Sequence, residues 1–127
     1  MADVKPQISW DHAHIRTIDP EATAQWFAEM LGAEIVPTPA RIDVRLGGNS
    51  IFVTPVTPGD GINPPPVTPY QGLDHFGLAV KGLDALVASL KAKGVHFAKD
   101  VYQVRPGLRV CFISGPQGIS IELLERV

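Results

Sequence analysis

The pattern of this sequence predicts an α+β fold class, built from two tandem βαβββ modules. Three observations predict it. A strand-helix-strand-strand-strand order is readable in each half of the chain, and a proline-rich segment separates the halves. An Asp-His pair opens each half, as Asp11-His12 and again as Asp74-His75, 63 positions later.

In the first half, the β-branched stretch from Ile8 to Ile18 reads as a strand. Asp19-Pro20-Glu21 then supplies an N-cap, a first-turn proline and an early acid, the sequence of a helix start. Trp26, Phe27, Met30 and Leu31 recur at one-turn spacing, giving an apolar stripe on a helix over 20–31, which Gly32 ends in a left-handed position. Strands follow at 33–37, 41–47 and 50–55, and Gly47-Gly48-Asn49 is hairpin-turn chemistry between the last two.

Residues 55–69 hold six prolines and two glycines. Proline donates nothing to a strand ladder, so the segment is excluded from a central strand and reads as a linker or lid. The modules therefore occupy about 8–56 and 72–127, with the linker over 57–71, in one domain spanning 1–127. In the second module Leu73 to Val80 resumes a strand pattern. Leu83, Leu86, Val87 and Leu90 stand at i, i+3, i+4 and i+7 on a helix that Gly94 ends. Strands are expected at 95–98, 107–113 and 119–125, with Gly115-Pro116-Gln117-Gly118 turning the final hairpin. Joined, the modules make a curved eight-stranded mixed sheet or half-barrel with flanking helices.

Composition narrows the function classes. With 127 residues, 45% of them apolar, the chain can bury a core without disulfides. A net charge of -2 and scattered Lys and Arg residues offer no basic field for nucleic acid. No apolar run approaches the ~20 residues that span a bilayer. The first residues lack the apolar core of a signal peptide, so a cytoplasmic protein is expected. The lone cysteine, Cys111, lies in the apolar run Val110-Cys111-Phe112-Ile113 and reads as an inert core residue.

The repeat extends to single residues. Leu31-Gly32-Ala33-Glu34-Ile35-Val36 corresponds to Lys93-Gly94-Val95-His96-Phe97-Ala98, and Ser50-Ile51-Phe52-Val53 to Ser120-Ile121-Glu122-Leu123. Position 52 is thus the counterpart of 122. Equivalent strands of a duplicated sheet line a common concave face, where His12, Phe52, His75 and Glu122 should converge. A lone strand histidine is ordinarily satisfied by a backbone carbonyl, but histidine at both equivalent positions points to shared chemistry. Glu122 alternates with Ile121 and Leu123 and so faces the other way, where a carboxylate needs a cation, either a metal or a salt-bridge partner. Alternation also sets His14 and Arg16 on the His12 face.

The motifs Asp11-His12-Ala13-His14-Ile15-Arg16, Trp26-Phe27 through Leu31-Gly32, Asp74-His75-Phe76-Gly77-Leu78-Ala79-Val80, and Gly115-Pro116-Gln117-Gly118 with Ile121-Glu122 resemble the vicinal oxygen chelate superfamily. That group covers glyoxalases, bleomycin-resistance proteins and extradiol dioxygenases, and the resemblance spans nearly the whole chain. It implies one divalent metal ion on His12, His75 and Glu122, Fe2+ first and Mn2+, Zn2+ or Ni2+ as alternatives. Two departures stand out: Gly115 replaces the usual Asp of the final turn, and Phe52 occupies the fourth ligand position.

The resemblance implies a metal-dependent enzyme, foremost a non-haem Fe(II) dioxygenase acting on a small vicinal-oxygen substrate, aromatic or hydroxyketone. A glyoxalase-type lyase or isomerase, a fosfomycin-resistance-like thiol transferase and a non-enzymatic small-molecule binder are the other readings. His14 is the candidate acid or base. Arg16 is the candidate for a substrate carboxylate, because the glyoxalase branch often carries Arg at this spacing. Phe52 offers an apolar surface to substrate, and Tyr102, Arg105 and Arg109 border a Pro-Gly turn where they can close a pocket mouth. His96 reads as an ordinary strand residue. A homodimer is expected, because duplicated modules leave sheet edges that a second chain can cover.

Overall fold

A computed structural model describes residues 5–127. The chain divides into two compact units, one ending at Asp60 and the other running from Gly61 to Val127. The division falls inside the proline-rich segment.

The first unit contains β1 (His12–Thr17), α1 (Pro20–Leu31), β2 (Glu34–Pro37), β3 (Ile42–Leu46) and β4 (Asn49–Pro55). Its sheet has the order β1-β4-β3-β2, with β1 parallel to β4 and the other pairs antiparallel. A parallel pair cannot be closed by a hairpin, so the chain must cross over, and α1 opens that crossover. The helix begins where the Asp19 carboxylate accepts a hydrogen bond from the Ala22 backbone N–H at 3.0 Å, with Pro20 in its first turn. It stops at Gly32, whose φ of 70° is the left-handed conformation that closes a helix without a Cβ clash. Phe27 is fully buried, and Ala24, Ile15, Val44, Ile51 and Val53 are the other buried apolar residues among those described in this unit. Thr17 and Thr23 are also buried and satisfy one another through a 2.8 Å hydroxyl contact.

The second unit repeats the order: β5 (Phe76–Ala79), α2 (Leu83–Ala92), β6 (Phe97–Arg105), β7 (Leu108–Ser114) and β8 (Ser120–Arg126), with sheet order β5-β8-β7-β6. Only β5 and β8 run parallel. Gly82 at the start of α2 has no side chain to cap with. The Glu125 carboxylate of β8 takes that role, accepting the backbone N–H groups of Gly82 at 2.7 Å and Leu83 at 3.1 Å. Leu83, Leu90, Ile113, Ile121 and Leu123 are wholly buried.

Both sheets share one register. Ala13 faces Ile51 as Phe76 faces Ile121, and His14 faces Phe52 as Gly77 faces Glu122. One strand further, Asp43 faces Phe52 as Phe112 faces Glu122. The correspondence of Phe52 with Glu122 is therefore a register equivalence as well as a sequence one.

Among the described residues there are eight strands and two α-helices in the expected order, hydrogen-bonded as two four-stranded mixed sheets. No helix is long and apolar enough to cross a membrane. Three boundaries differ from the sequence reading by three residues or more. The first strand starts at His12 and not Ile8, and the fifth at Phe76 and not Leu73, because their pairing begins at Ser50 and Ile121 respectively. Trp10 and Leu73, at equivalent positions ahead of these strands, are each 76% exposed. Strand β6 runs on to Arg105, and its register shifts against β7 break the alternation that would have marked it in the sequence.

Cys111 is fully buried, and removal from water pushes its thiol up to about 11 from 9.0. The unfolded chain releases this proton at lower pH than the folded one. Folding stability should therefore fall as pH rises from about 9 to about 11. The native thiol should resist alkylation at mildly alkaline pH and react on denaturation; fast native alkylation there would contradict the burial.

Candidate functional site

Alternation along β1 divides its side chains by environment: Ile15 and Thr17 are buried in the core, and His12, His14 and Arg16 are exposed. His12 has its Nδ1 2.7 Å from Asp11 Oδ2. A carboxylate only accepts, so Nδ1–H donates, and a neutral ring keeps a bare lone pair on Nε2. Next to it, the Phe52 ring stacks on the imidazole at 3.9 Å between centroids and 26° between planes. The Arg41 guanidinium lies 3.5 Å from the same Phe52 centroid, on the opposite face, since His12 fills the first. Its Nε donates to Asp43 Oδ1 at 2.6 Å. Phe52 thus meets any ligand only through its edge.

His14 Nε2 lies 2.7 Å from the Thr54 hydroxyl. Burial first, then the positive charge of Arg16, of the His12 ring whenever it is protonated, and of Arg41, lowers its pKa below the ordinary imidazole value. The ring is accordingly uncharged at neutral pH, the form that accepts a proton. Arg16 has no carboxylate partner among the described residues.

In the second unit, His75 stands immediately before β5, and its Nδ1 contacts Asp74 Oδ2 at 2.7 Å, the same arrangement as in the first. Its Nε2 lies 3.7 Å from Glu122 Oε2. That exceeds a hydrogen bond, and it is less than the ~4.2 Å that two ligand bonds of ~2.1 Å span end to end. Phe112 meets the His75 ring edge-on, at 4.9 Å and 89°. Opposite Glu122, Gly77 leaves the carboxylate its space: a Cβ there would stand 3.3 Å from Glu122 Oε1 and 3.2 Å from Leu124 Cδ2.

The sequence-predicted residues are therefore distributed as follows. The structure brings His75 and Glu122 together, and His12 with Phe52, His14 and Arg16 on one strand pair of the first unit. Among the described residues, no three His, Cys, Asp or Glu side chains cluster as a metal site. Each unit by itself carries donors of a kind that a divalent ion takes: an imidazole oriented through Nδ1 in both, and in the second a carboxylate beside it. Tyr102 sits in β6 opposite Val110, with the Lys99 ammonium 4.0 Å over its ring. Arg109 is engaged on the α2 side, donating to Asp84 at 2.6 Å and lying 3.9 Å from Glu125. Its hydrogen bond and its charge hold the Asp84 carboxyl below the usual range. Arg105 ends β6, opposite Leu108, and His96 lies exposed just ahead of that strand. An open depression of about 410 Å³ at the α1 start, walled by Pro20, Pro39 and Pro55, includes neither His12 nor Phe52.

Sequence reasoning singled out the Asp-His repeat without giving the aspartates their orienting role, and it passed over Arg41 and Asp43. Their signal was available: an Arg-x-Asp spacing puts both side chains on one strand face.

Two registered copies of one βαβββ unit, each presenting an Asp-held histidine beside its first strand, define a duplicated-module protein. The chain belongs to the Glyoxalase/Bleomycin resistance protein/Dioxygenase superfamily, whose family model matches residues 9–123. Among curated relatives, it is 31% identical over 124 residues to a chloroplastic protein of Arabidopsis thaliana described as a probable lactoylglutathione lyase, covering 91% of this chain and 35% of that one. A lactoylglutathione lyase of the same plant is 24% identical over 99% of this chain and 50% of its own length. The chain thus spans half or less of these relatives. Among solved structures, a glyoxalase family protein from Enterococcus faecalis matches with a TM-score of 0.72 and 23% identity, over 92% of this chain and 97% of that one. A glyoxalase/bleomycin resistance protein/dioxygenase from Alicyclobacillus acidocaldarius matches at 0.67 and 19% identity, over 91% and 89%.

The Asp74 contact generates a prediction. Asp74→Ala should weaken binding of a divalent ion roughly 10- to 100-fold by freeing the His75 ring. The melting temperature should hardly move, because the pair is exposed. Competition against a chromogenic chelator measures the first, and unchanged affinity would remove Asp74 from the site.

Proposed function

We propose that this chain is a metal-dependent enzyme of its superfamily in which His12, His75 and Glu122 ligate one divalent ion, Fe(II) in the first instance. Its substrate is a small molecule carrying two adjacent oxygens. The observation that carries this reading is the identical Asp-His pairing in the two modules, which engages Nδ1 and, in the neutral ring, leaves Nε2 as the nitrogen free to ligate. Glu122, 3.7 Å from one of them, supplies the carboxylate of a two-histidine, one-carboxylate set. When bound, the ion polarises substrate oxygens and, as Fe(II), opens oxygen chemistry.

The chain's own residues set the rest. Phe52 offers neither a ligand atom nor a base at the fourth position, so the ligand set stops at three. His14, uncharged at neutral pH, takes up or returns a proton at its ring. Arg16 is exposed and holds an anionic group of the substrate. Tyr102, with its phenol in β6, borders the substrate.

Dioxygenase chemistry is favoured by Phe52, which stands beside His12 at the register position that Glu122 holds in the second module. Lyase chemistry is the second reading, favoured by the relatives named lactoylglutathione lyase. The two separate in one assay. Fe(II)-loaded protein should consume oxygen with a catechol or hydroxyketone, and turn over the glutathione-methylglyoxal hemithioacetal weakly. Brisk anaerobic hemithioacetal turnover with Ni(II) or Zn(II), without oxygen uptake, would replace the dioxygenase by the lyase. Changing His12, His75 or Glu122 to Ala should strip the ion and leave the fold; a wild type that never retains near-stoichiometric metal would end both readings.

The proposal includes a homodimer. Strands β1 and β5 are edges of their own sheets, and exposed Trp10 and Leu73 precede them. Sedimentation at micromolar concentration should give twice the 13.7 kDa chain mass. A monomer under those conditions would count against it.

A further inference from the structure

Four side chains form an unbroken series of contacts on the first sheet: Asp43 to Arg41, Arg41 to Phe52, Phe52 to His12. We infer that Arg41 and Asp43 are positioning residues for His12, holding Phe52 flat against the imidazole so that the first module offers one pre-oriented nitrogen. The inference rests on His12 being a ligand, as proposed above.

The contacts over-determine the Phe52 ring. One face lies on His12 at 3.9 Å and the other under the Arg41 guanidinium at 3.5 Å, so it cannot swing without losing both. Arg41 is fixed in turn through Nε by Asp43, which is only 8% exposed. A carboxylate that buried needs its cation, and the planar guanidinium can pair at one edge while it stacks with its face.

Comparison with the second module shows what the arrangement does. The register counterparts of Phe52 and Asp43 are Glu122 and Phe112. The aromatic and the carboxylate have changed strands. In the second module the carboxylate is beside the histidine and the aromatic ring meets it edge-on, at 89°. In the first, the ring is stacked on the histidine, and the carboxylate is one strand away and neutralised by Arg41. Arg41 therefore both presses Phe52 onto His12 and withdraws Asp43 from competition as a ligand.

Imidazole proton resonances of the metal-free protein test this, because protons of a ring lying over the Phe52 face are shifted upfield by its ring current. Arg41→Lys keeps a charge for Asp43 and removes the planar cover; Asp43→Asn removes the anchor. Both should move the His12 signals toward those of Phe52→Leu, in which the ring is gone, and leave the His75 signals in place. Zn(II) affinity should fall roughly 10- to 100-fold in both, as for loss of an orienting contact. Wild-type His12 signals in folded Arg41→Lys, with only the melting temperature lowered, would reduce the pair to a strand ion pair and overturn the inference. If Asp43→Asn does not fold, Arg41→Lys decides alone. A wild type that binds no Zn(II) would count against the ligand reading, and the resonance shifts would still judge the positioning.

Discussion

In each module the first strand runs parallel to the last, and that pairing governs everything placed on it. A parallel pair demands a crossover, which the helix and two further strands supply, so the histidine at the first strand and residue 52 or 122 on the last are far apart in sequence and close in space. The register also fixes the face. A slip by one residue would turn His12 and His14 into the core and put Ile15 outside. Ile15, Ile51 and Val53, buried together in the first unit, oppose such a slip, as Ile121 and Leu123 do in the second.

On this common frame the modules have diverged where chemistry differs and stayed alike where geometry is needed. Both keep an aspartate on the histidine Nδ1. At the next position along the face the first has His14, bonded to Thr54, and the second has Gly77, whose missing side chain gives Glu122 room. The helix starts have diverged as well. Asp19 caps α1 from its own turn, whereas α2 is capped by Glu125 from β8, close to Arg109 and Asp84. The charge at Arg109 thus helps dock a helix.

Much of the fold was legible because it rests on local rules. Asp19-Pro20 and Gly32 gave both ends of α1, and the Gly47-Gly48 turn gave the hairpin, since caps and turns are dictated by residues within a few positions. What failed was strand length, which depends on a partner distant in sequence. Ile8 and Trp10 look strand-like, and nothing in their own composition says that pairing starts at His12. For the candidate site, the repeat made the two Asp-His pairs legible, and their matching contacts are seen in both units. The stacking of Phe52 between His12 and Arg41 was not legible, because it depends on rotamers and on a cross-strand neighbour. The same holds for Arg109, whose partner Asp84 lies on a helix 25 residues earlier.

The proposed site requires of each module a histidine whose Nδ1 is held by an aspartate and whose Nε2 is left to a metal ion. Ring 15N resonances of the metal-free protein at neutral pH test it most directly, followed by one equivalent of Zn(II). The Nδ1–H tautomer is expected for both His12 and His75, with a change at Nε2 of both rings in step as the ion is added. An Nε2–H tautomer at either histidine, or an ion that perturbs His75 alone, would contradict it.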